Sequence, residues 1–323
     1  MSAPQLRSTV VVGAGAVGSY FGAMLARSGH PVTLVGRAAH VDAILRDGLR
    51  VQRASGVETV RVAATTALDA VRGADLVLVC VKSTDSDAVA RELAPLLRAD
   101  ALVLSLQNGV DNADAIAAHV RQTVLPAVVY VAVGMTAPGV VAHHGRGDLV
   151  IGPRNAHDAA DAALAPRMQA VAELFGAAGV AVRVSNEVVA ELWLKLLVNC
   201  AYNAISALTQ LPYGRFATVP DVRATQLAVL DEVLAVARAD GHALARADAI
   251  DAMDRIAASM PGQVSSTAQD LARGKPTEID HLNGFVARRG AALGVATPVN
   301  QALHALVKLA ESAPAGHIQR ASA

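Results

Sequence analysis

Thr9-Val10-Val11-Val12-Gly13-Ala14-Gly15-Ala16-Val17-Gly18 sets a short β-branched run against three glycines spaced G-x-G-x-x-G, and a helix-like run follows to Arg27. Strand, turn and helix in that order are the context in which this motif reads as a dinucleotide site. The first glycine permits the tight turn, the second lets a pyrophosphate approach the backbone, and the third allows close helix-to-strand packing. The helix N-terminus then faces the anion. Gly13, Ala14, Gly15, Ala16, Val17 and Gly18 are therefore the expected cofactor contacts. A chance glycine triplet, with Gly22 continuing the small-residue packing, is the alternative.

The next strand, Pro31 to Val35, ends in Val35-Gly36-Arg37. An NAD site places an acidic residue there for the ribose 2′-hydroxyl. Its absence removes repulsion against a 2′-phosphate, and the Arg37 guanidinium offers that phosphate a fork-shaped, charge-assisted contact. NADPH is thus the expected cofactor. An ordinary loop arginine is the plainer reading.

Further strand-like runs follow at Val51, Val60, Leu76 to Val81, Ala101 to Leu106, Val124 to Val133 and Leu149 to Ile151. Helical segments between them include Ser86 to Leu97 and Asn112 to His119. The alternation predicts an α/β fold: a Rossmann-type doubly wound parallel sheet. From Val128 to Pro153 glycines cluster and the spacing tightens, which suggests hairpin strands added to one side. After a last strand, Val180 to Val184, the pattern is almost entirely helical, with candidates at Asp221 to Asp240, Arg246 to Ser259, Ser265 to Arg273, Thr277 to Leu293 and Pro298 to Ser312. The expected organisation is a nucleotide-binding domain over 1–185 and an all-helical C-terminal domain over 186–323 that carries substrate and catalysis, ending in a frayed tail from Ala313.

Composition bounds the partners. In 323 residues, 53% are apolar and 17% charged, and 28 basic residues balance 28 acidic ones. Such a chain buries a large core and has no electrostatic reason to seek nucleic acid or an anionic membrane. Its apolar runs are interrupted by glycine, asparagine and charge before a bilayer-spanning length. Met1 to Arg7 lacks the pattern of a secretory signal. Cys80 and Cys200 read as small buried hydrophobes, not a disulfide or metal pair, so no metal is expected and a cytoplasmic setting fits. The apolar second domain would serve either an intramolecular core or a homodimer interface.

Asn186 to Gln210 is an apolar helix crossed by one polar stripe, Lys195, Asn199 and Asn203. Steps of four residues rotate by only about 40° on a helix, so the three share one face. A helix this oily is buried, and a buried lysine with two amides is costly unless they line a wet or liganded cavity. The stripe reads as an active-site wall. The alternative is a surface Glu191–Lys195 pair with solvated asparagines.

Ligands in open α/β sheets bind outside the carboxyl ends of the strands. Lys82 and Gln107-Asn108-Gly109 fall there. Lys82 would reach a phosphate or a substrate acid, and Asn108 the nicotinamide amide or the catalytic lysine; turn chemistry explains both equally well. In the second domain, Ser265-Ser266-Thr267-Ala268-Gln269-Asp270 precedes Thr277-Glu278-Ile279-Asp280 and Asn283-Gly284. Thr277 with Asp280 resembles a capping box. Glu278 then either favours the helix dipole or grips a substrate hydroxyl, and Ser266 either caps a helix or donates to a carboxylate.

The set Gly13-x-Gly15-x-x-Gly18, Lys82, Gln107-Asn108-Gly109, Lys195-x-x-x-Asn199-x-x-x-Asn203, Ser265-Ser266-x-x-Gln269-Asp270 and Thr277-Glu278-Ile279-Asp280 with Asn283-Gly284 resembles the ketopantoate reductase family over nearly the whole chain. The resemblance implies NADPH-dependent reduction of 2-dehydropantoate to pantoate, toward pantothenate and coenzyme A. It implies Lys195 as general acid, Asn199, Asn203 and Ser266 holding substrate, and Glu278 gripping its hydroxyl close to the cofactor. It implies that Asn108 helps order the site, and Lys82 and Asn108 are the expected contacts on the cofactor side. Asp85 stands where many members carry glutamine, which puts one cofactor-side contact in doubt. The chemistry agrees: hydride arriving at a ketone carbon leaves charge on its oxygen, which a positioned ammonium stabilises and then protonates. Two other functions fit the same residues: reduction of a different 2-ketoacid, or NADPH sensing without turnover.

Overall fold

Valine- and leucine-rich runs of four residues build the sheet of the first unit, and they are buried on both faces as parallel strands require. In the computed structural model, residues 5–313 are described. The expected tail past Ala313 and the first four residues of the chain lie outside the described residues. The chain forms two compact units, Met1–Val189 and Ala190–Ala323.

The first unit runs β1 (Thr9–Val12), α1 (Ala16–Arg27), β2 (Val32–Val35), α2 (Ala38–Asp47), β3 (Leu49–Arg53), β4 (Gly56–Val60), β5 (Ala63–Thr65), β6 (Leu76–Val79), α3 (Ser86–Leu93), β7 (Leu102–Ser105) and α4 (Asn112–Ala117). It continues through β8 (Thr123–Ala137), β9 (Val140–Ile151), α5 (Ala156–Ala159), α6 (Leu164–Ala177) and β10 (Val182–Val184). Strands β5, β2, β1, β6, β7 and β8 lie side by side and all parallel. Leaving the β3–β4 pair aside, that is the doubly wound order 3-2-1-4-5-6, and the expected fold class holds.

Successive residues of these strands feed opposite faces. Val11, Leu76, Leu78, Leu102 and Leu104 join Phe21, Leu25 and Phe175 in one cluster. Val10, Val12, Val77, Val79 and Val103 join Ala90, Leu93 and Ile116 in the other. Beyond β8 the sheet changes character: β8 pairs antiparallel with β9 through several irregularities, β9 runs parallel to β3, and β3 pairs antiparallel with β4. The hairpin expected after Val128 is therefore present. The run at Val60 is not a strand of the parallel sheet but the second arm of the β3–β4 hairpin. The third strand of the doubly wound order is the less apolar Ala63–Thr65.

The second unit contains all but the first two residues of α7 (Val188–Thr209), and α8 (Tyr213–Phe216), α9 (Pro220–Ala239), α10 (Arg246–Ser259), α11 (Ser266–Ala272), α12 (Asn283–Leu293) and α13 (Pro298–Ser312). At 22 residues α7 is, contrary to the sequence reading, long and apolar enough to span a bilayer, yet it is mostly buried within the protein. Trp193, Leu196, Leu197, Cys200, Ala201 and Tyr202 have essentially no exposed surface. The side chains of Gln226 on α9 and Tyr202 tie α7 to its neighbours: Gln226 Nε2 donates to the carbonyl of Ala201 at 3.3 Å, and Tyr202 Oη to that of Met253 at 2.9 Å.

One expected element is corrected. Residues 277–293 do not form a single helix. A 3-10 turn at Ile279–His281 is followed by a break at Leu282 (φ −112°, ψ −106°), and α12 starts only at Asn283. No capping box forms, because both of its partners are engaged elsewhere: Thr277 Oγ1 donates to Glu311, and the Asp280 carboxylate accepts from His304 and Lys308.

Candidate active site

In the first unit the three glycines fill three different roles. Gly13 adopts φ +110°, and a Cβ there would stand 2.6 Å from the backbone of Cys80. Gly18 allows no side chain either, since its Cβ would lie 2.1 Å from the Gly13 carbonyl oxygen. At Gly15, by contrast, a Cβ would meet nothing within 4 Å. Gly15 is also the N-cap of α1, contributes no side-chain cap, and is followed by a first turn free of acidic residues. Open space beside the uncapped N–H groups of a helix suits a pyrophosphate, so Ala14, Ala16 and Val17 with the three glycines fit a dinucleotide.

Gly36, at the end of β2, packs against Ala14, since a Cβ there would come 2.6 Å from that of Ala14. The exposed Arg37 that follows is thereby carried beside the glycine loop, at the N-cap of α2.

The loops after β6 and β7 are bound to each other by a buried polar network that sequence reading missed. Gln107, 5% exposed, accepts from Ser105 Oγ at 3.1 Å and donates from Nε2 to Ser86 Oγ at 2.6 Å and to the Val81 carbonyl at 3.1 Å. Ser86 Oγ in turn donates to Asn112 Oδ1 at 2.8 Å. Asn112 Nδ2 donates to Ser83 Oγ at 3.2 Å and to the carbonyl of Asn108 at 2.5 Å, and Ser83 Oγ reaches that same carbonyl at 3.0 Å. The half-buried Lys82 and Asn108 are therefore set on one braced platform at the carboxyl edge of the sheet. From sequence, Ser86 and Asn112 look like ordinary helix-start residues, which conceals the cross-loop contact. Asp85 is exposed and makes no side-chain cap for α3.

In the second unit, Lys195 and Asn199 are half-buried on α7 and Asn203 is buried. Ser265 caps α11, with Oγ accepting from the N–H of Ala268 at 3.0 Å, and donates to the backbone carbonyl of Asn203 at 3.2 Å. Ser266, one of the two caps considered from sequence, is instead an exposed residue at the first position of α11. The Ser265 bond sets the start of α11, and with it Ser266, against the Asn203 end of the stripe.

Glu278 is half-buried and precedes the 3-10 turn. Five residues on, the fully buried Asn283 donates from Nδ2 to the carbonyl of Cys200 at 3.2 Å and to Asn300 Oδ1 at 3.0 Å. Asn283 thus ties this segment to α7 beside Asn199. Both cysteines are free, and burial pushes both thiols far above their ordinary range, as expected of inert packing residues. A cavity of about 480 Å³ in the first unit, between Gln122, Arg154 and Leu164, contains none of these residues.

A doubly wound sheet with a glycine cradle, and a helical unit with a lysine–asparagine stripe, fit the class of oxidoreductases acting on CH–OH that the relatives below support. Comparison narrows the class. The chain matches the family described as "Ketopantoate reductase PanE/ApbA" over residues 9–156 and that family's C-terminal region over 187–311. It is 36% identical to the 2-dehydropantoate 2-reductase of Halobacterium salinarum over 306 residues, covering 94% of this chain and 98% of that one. To the Archaeoglobus fulgidus protein of the same name it is 32% identical, covering 94% and 97%. A crystal structure of a PanE/ApbA family ketopantoate reductase from Ralstonia eutropha JMP134 superposes with TM-score 0.86 at 53% identity, covering 94% and 98%. A D-mandelate dehydrogenase complex with NADH shares the fold, with TM-score 0.87 at 24% identity. The chain belongs to the ketopantoate reductase family.

Proposed function

We propose that the protein reduces 2-dehydropantoate to pantoate with NADPH, in the route to pantothenate and coenzyme A. The observation that carries this reading is the arrangement around α7, where the Lys195-Asn199-Asn203 stripe is joined through Ser265 to the start of α11 and through Asn283 to the segment bearing Glu278. Family membership supplies the substrate class, a small ketoacid.

NADPH would supply the hydride when bound; in the first unit Gly13 to Gly18 would hold its pyrophosphate and Arg37 its 2′-phosphate, with Lys82 and Asn108 as further contacts on the cofactor side. The Lys195 ammonium stabilises the charge that develops on the ketone oxygen and delivers the proton from Nζ to it. Asn199 and Asn203 orient the substrate with neutral donors and acceptors that add no competing charge. Ser266, exposed at the first position of α11, donates from its hydroxyl to the substrate carboxylate. Glu278 accepts a hydrogen bond from the distal hydroxyl, which excludes ketoacids lacking that group. Two free cysteines, Cys200 buried and Cys80 half-buried, suit a reducing cytoplasm.

Steady-state oxidation of NADPH over a panel of small ketoacids tests the assignment. Ketopantoate is expected to lead in kcat/KM by at least about 10-fold, the discrimination given by one buried hydrogen bond to a substrate hydroxyl. A different ketoacid in first place would replace the substrate, and binding of NADPH without turnover of any ketoacid would make the protein a sensor.

A further inference from the structure

The backbone from Thr277 to Leu282 belongs to no α-helix, so its shape is set by side chains that reach it from elsewhere. One comes from α12, where Arg288 Nη2 donates to the Asp280 carbonyl at 2.7 Å, and the others come from one face of α13. Glu311 Oε1 accepts both from the Thr277 N–H at 2.7 Å and from Thr277 Oγ1 at 2.6 Å, and Thr277 Oγ1 accepts from the N–H of Ile279 at 3.2 Å. On the other side of Glu278, the two oxygens of Asp280 are taken separately, by His304 Nε2 at 2.6 Å and by Lys308 Nζ at 2.9 Å. Lys308 Nζ also reaches Glu311 Oε2 at 2.8 Å, so a single ammonium joins the two carboxylates that grip the flanks of Glu278. Residues 304, 308 and 311 are spaced at i, i+4 and i+7, which lines them along one stripe of the helix. Gly284 completes the fit: a Cβ there would stand 2.8 Å from the His304 ring, so α12 lies close against it.

We propose that the His304–Lys308–Glu311 stripe is a positioning device that fixes the Glu278 turn for recognition of the substrate's distal hydroxyl, with Lys308 as its keystone. The proposal rests on the assignment of Glu278 to that hydroxyl. Exposed ion pairs contribute little to global stability, whereas a shift of about 1 Å in a substrate-contacting group costs as much as about 100-fold in catalytic efficiency. Removing the Lys308 ammonium leaves Asp280 and Glu311 as neighbouring unneutralised charges and frees the turn between them. Lys308 acts only through Glu278 and touches no reacting atom.

The test is the ratio of kcat/KM for ketopantoate to that for the same ketoacid without its distal hydroxyl, measured in the intact protein with unfolding followed in parallel. Lys308→Met is expected to lower the ratio about 10-fold, through KM for ketopantoate, with the deoxy substrate changed less than about 2-fold and with Lys308→Arg recovering part of the loss. Thr277→Val, which keeps the shape and removes the hydroxyl that binds Glu311, is expected to move the ratio in the same direction and serves as the readout should Lys308→Met not fold. Glu278→Gln separates the two layers of the argument. A ratio lowered by Glu278→Gln but unmoved in the folded Lys308 or Thr277 variants would overturn the positioning role alone, as would an equal loss with both substrates. A ratio unmoved by Glu278→Gln would overturn the hydroxyl assignment and the device together.

Discussion

Tyr213 donates its phenolic hydrogen to Oδ1 of Asn203 across 3.3 Å, in a place where both side chains are buried. Burial, with Tyr202 nearby, pushes the Tyr213 phenol well above its ordinary range, so it remains a donor. Tyr213 thus holds the Asn203 amide in place at its end of the stripe. Asn203→Ala is expected to destabilise the fold by about 1–3 kcal/mol, the cost of a stranded buried donor. Asn199→Ala should cost less than about 1 kcal/mol and instead raise KM about 10-fold. Urea midpoints and kinetics on both variants check this, and equal destabilisation by the two would contradict it.

Glycines 15 and 18 should fail differently. In Gly18→Ala the new Cβ collides with the Gly13 carbonyl, 2.1 Å away, and both stability and NADPH binding are expected to fall. Gly15 has an extended backbone (φ −79°, ψ −166°) and open space at its Cβ, so Gly15→Ala should fold within about 1 kcal/mol of the parent. Its Kd for NADPH should nonetheless rise at least about 10-fold, because the methyl occupies the space assigned to the pyrophosphate. An unchanged Kd would place the nucleotide elsewhere.

Cofactor choice is tested at Arg37. Arg37→Ala is expected to lower kcat/KM for NADPH by about 10- to 100-fold while leaving NADH nearly unaffected, the loss of a charge-assisted contact made only to the 2′-phosphate. Parallel kinetics with both cofactors decide it, and an unchanged preference would remove Arg37 from the recognition.

The α13 stripe also predicts a pH signature. Burial raises the Asp280 and Glu311 carboxyls, but hydrogen bonds outweigh it and hold both below the ordinary carboxylate range: His304 and Lys308 on Asp280, and Lys308 and Thr277 on Glu311. Lys308 is held above its ordinary range by Glu311 first and Asp280 second. Groups with depressed folded values stabilise above their unfolded pKa, and that contribution disappears as pH falls through the folded one. The stability gap between the parent and Lys308→Met should therefore be widest between about pH 5 and about pH 10, narrow as pH falls below the ordinary carboxylate range, and narrow again as pH rises past the ordinary lysine range. A gap independent of pH would show that the carboxylates do not carry it.

Residues with strong local signatures were legible without coordinates. Thr9 to Gly18 announced strand, turn and helix because Gly13 is demanded by its backbone dihedral and Gly18 by close packing, and α10 and α13 run from Arg246 to Ser259 and from Pro298 to Ser312 as their apolar spacing predicts. The Lys195-Asn199-Asn203 stripe was visible because polar residues are conspicuous on an oily helix. What stayed hidden depends on contacts distant in sequence. Thr277 and Asp280 have capping-box spacing, but partners 34 and 28 residues away capture them. Likewise, Ser86 and Asn112 are 26 residues apart, and nothing in either local sequence announces that they meet.

The most direct test is pre-steady-state reduction of ketopantoate by Lys195→Ala, with NADPH binding measured on the same preparation. The rate of the chemical step should fall by about 10² to 10⁴ while the Kd for NADPH stays within about 3-fold. Reduction at the parental rate would contradict the central claim that this ammonium supplies the charge and the proton.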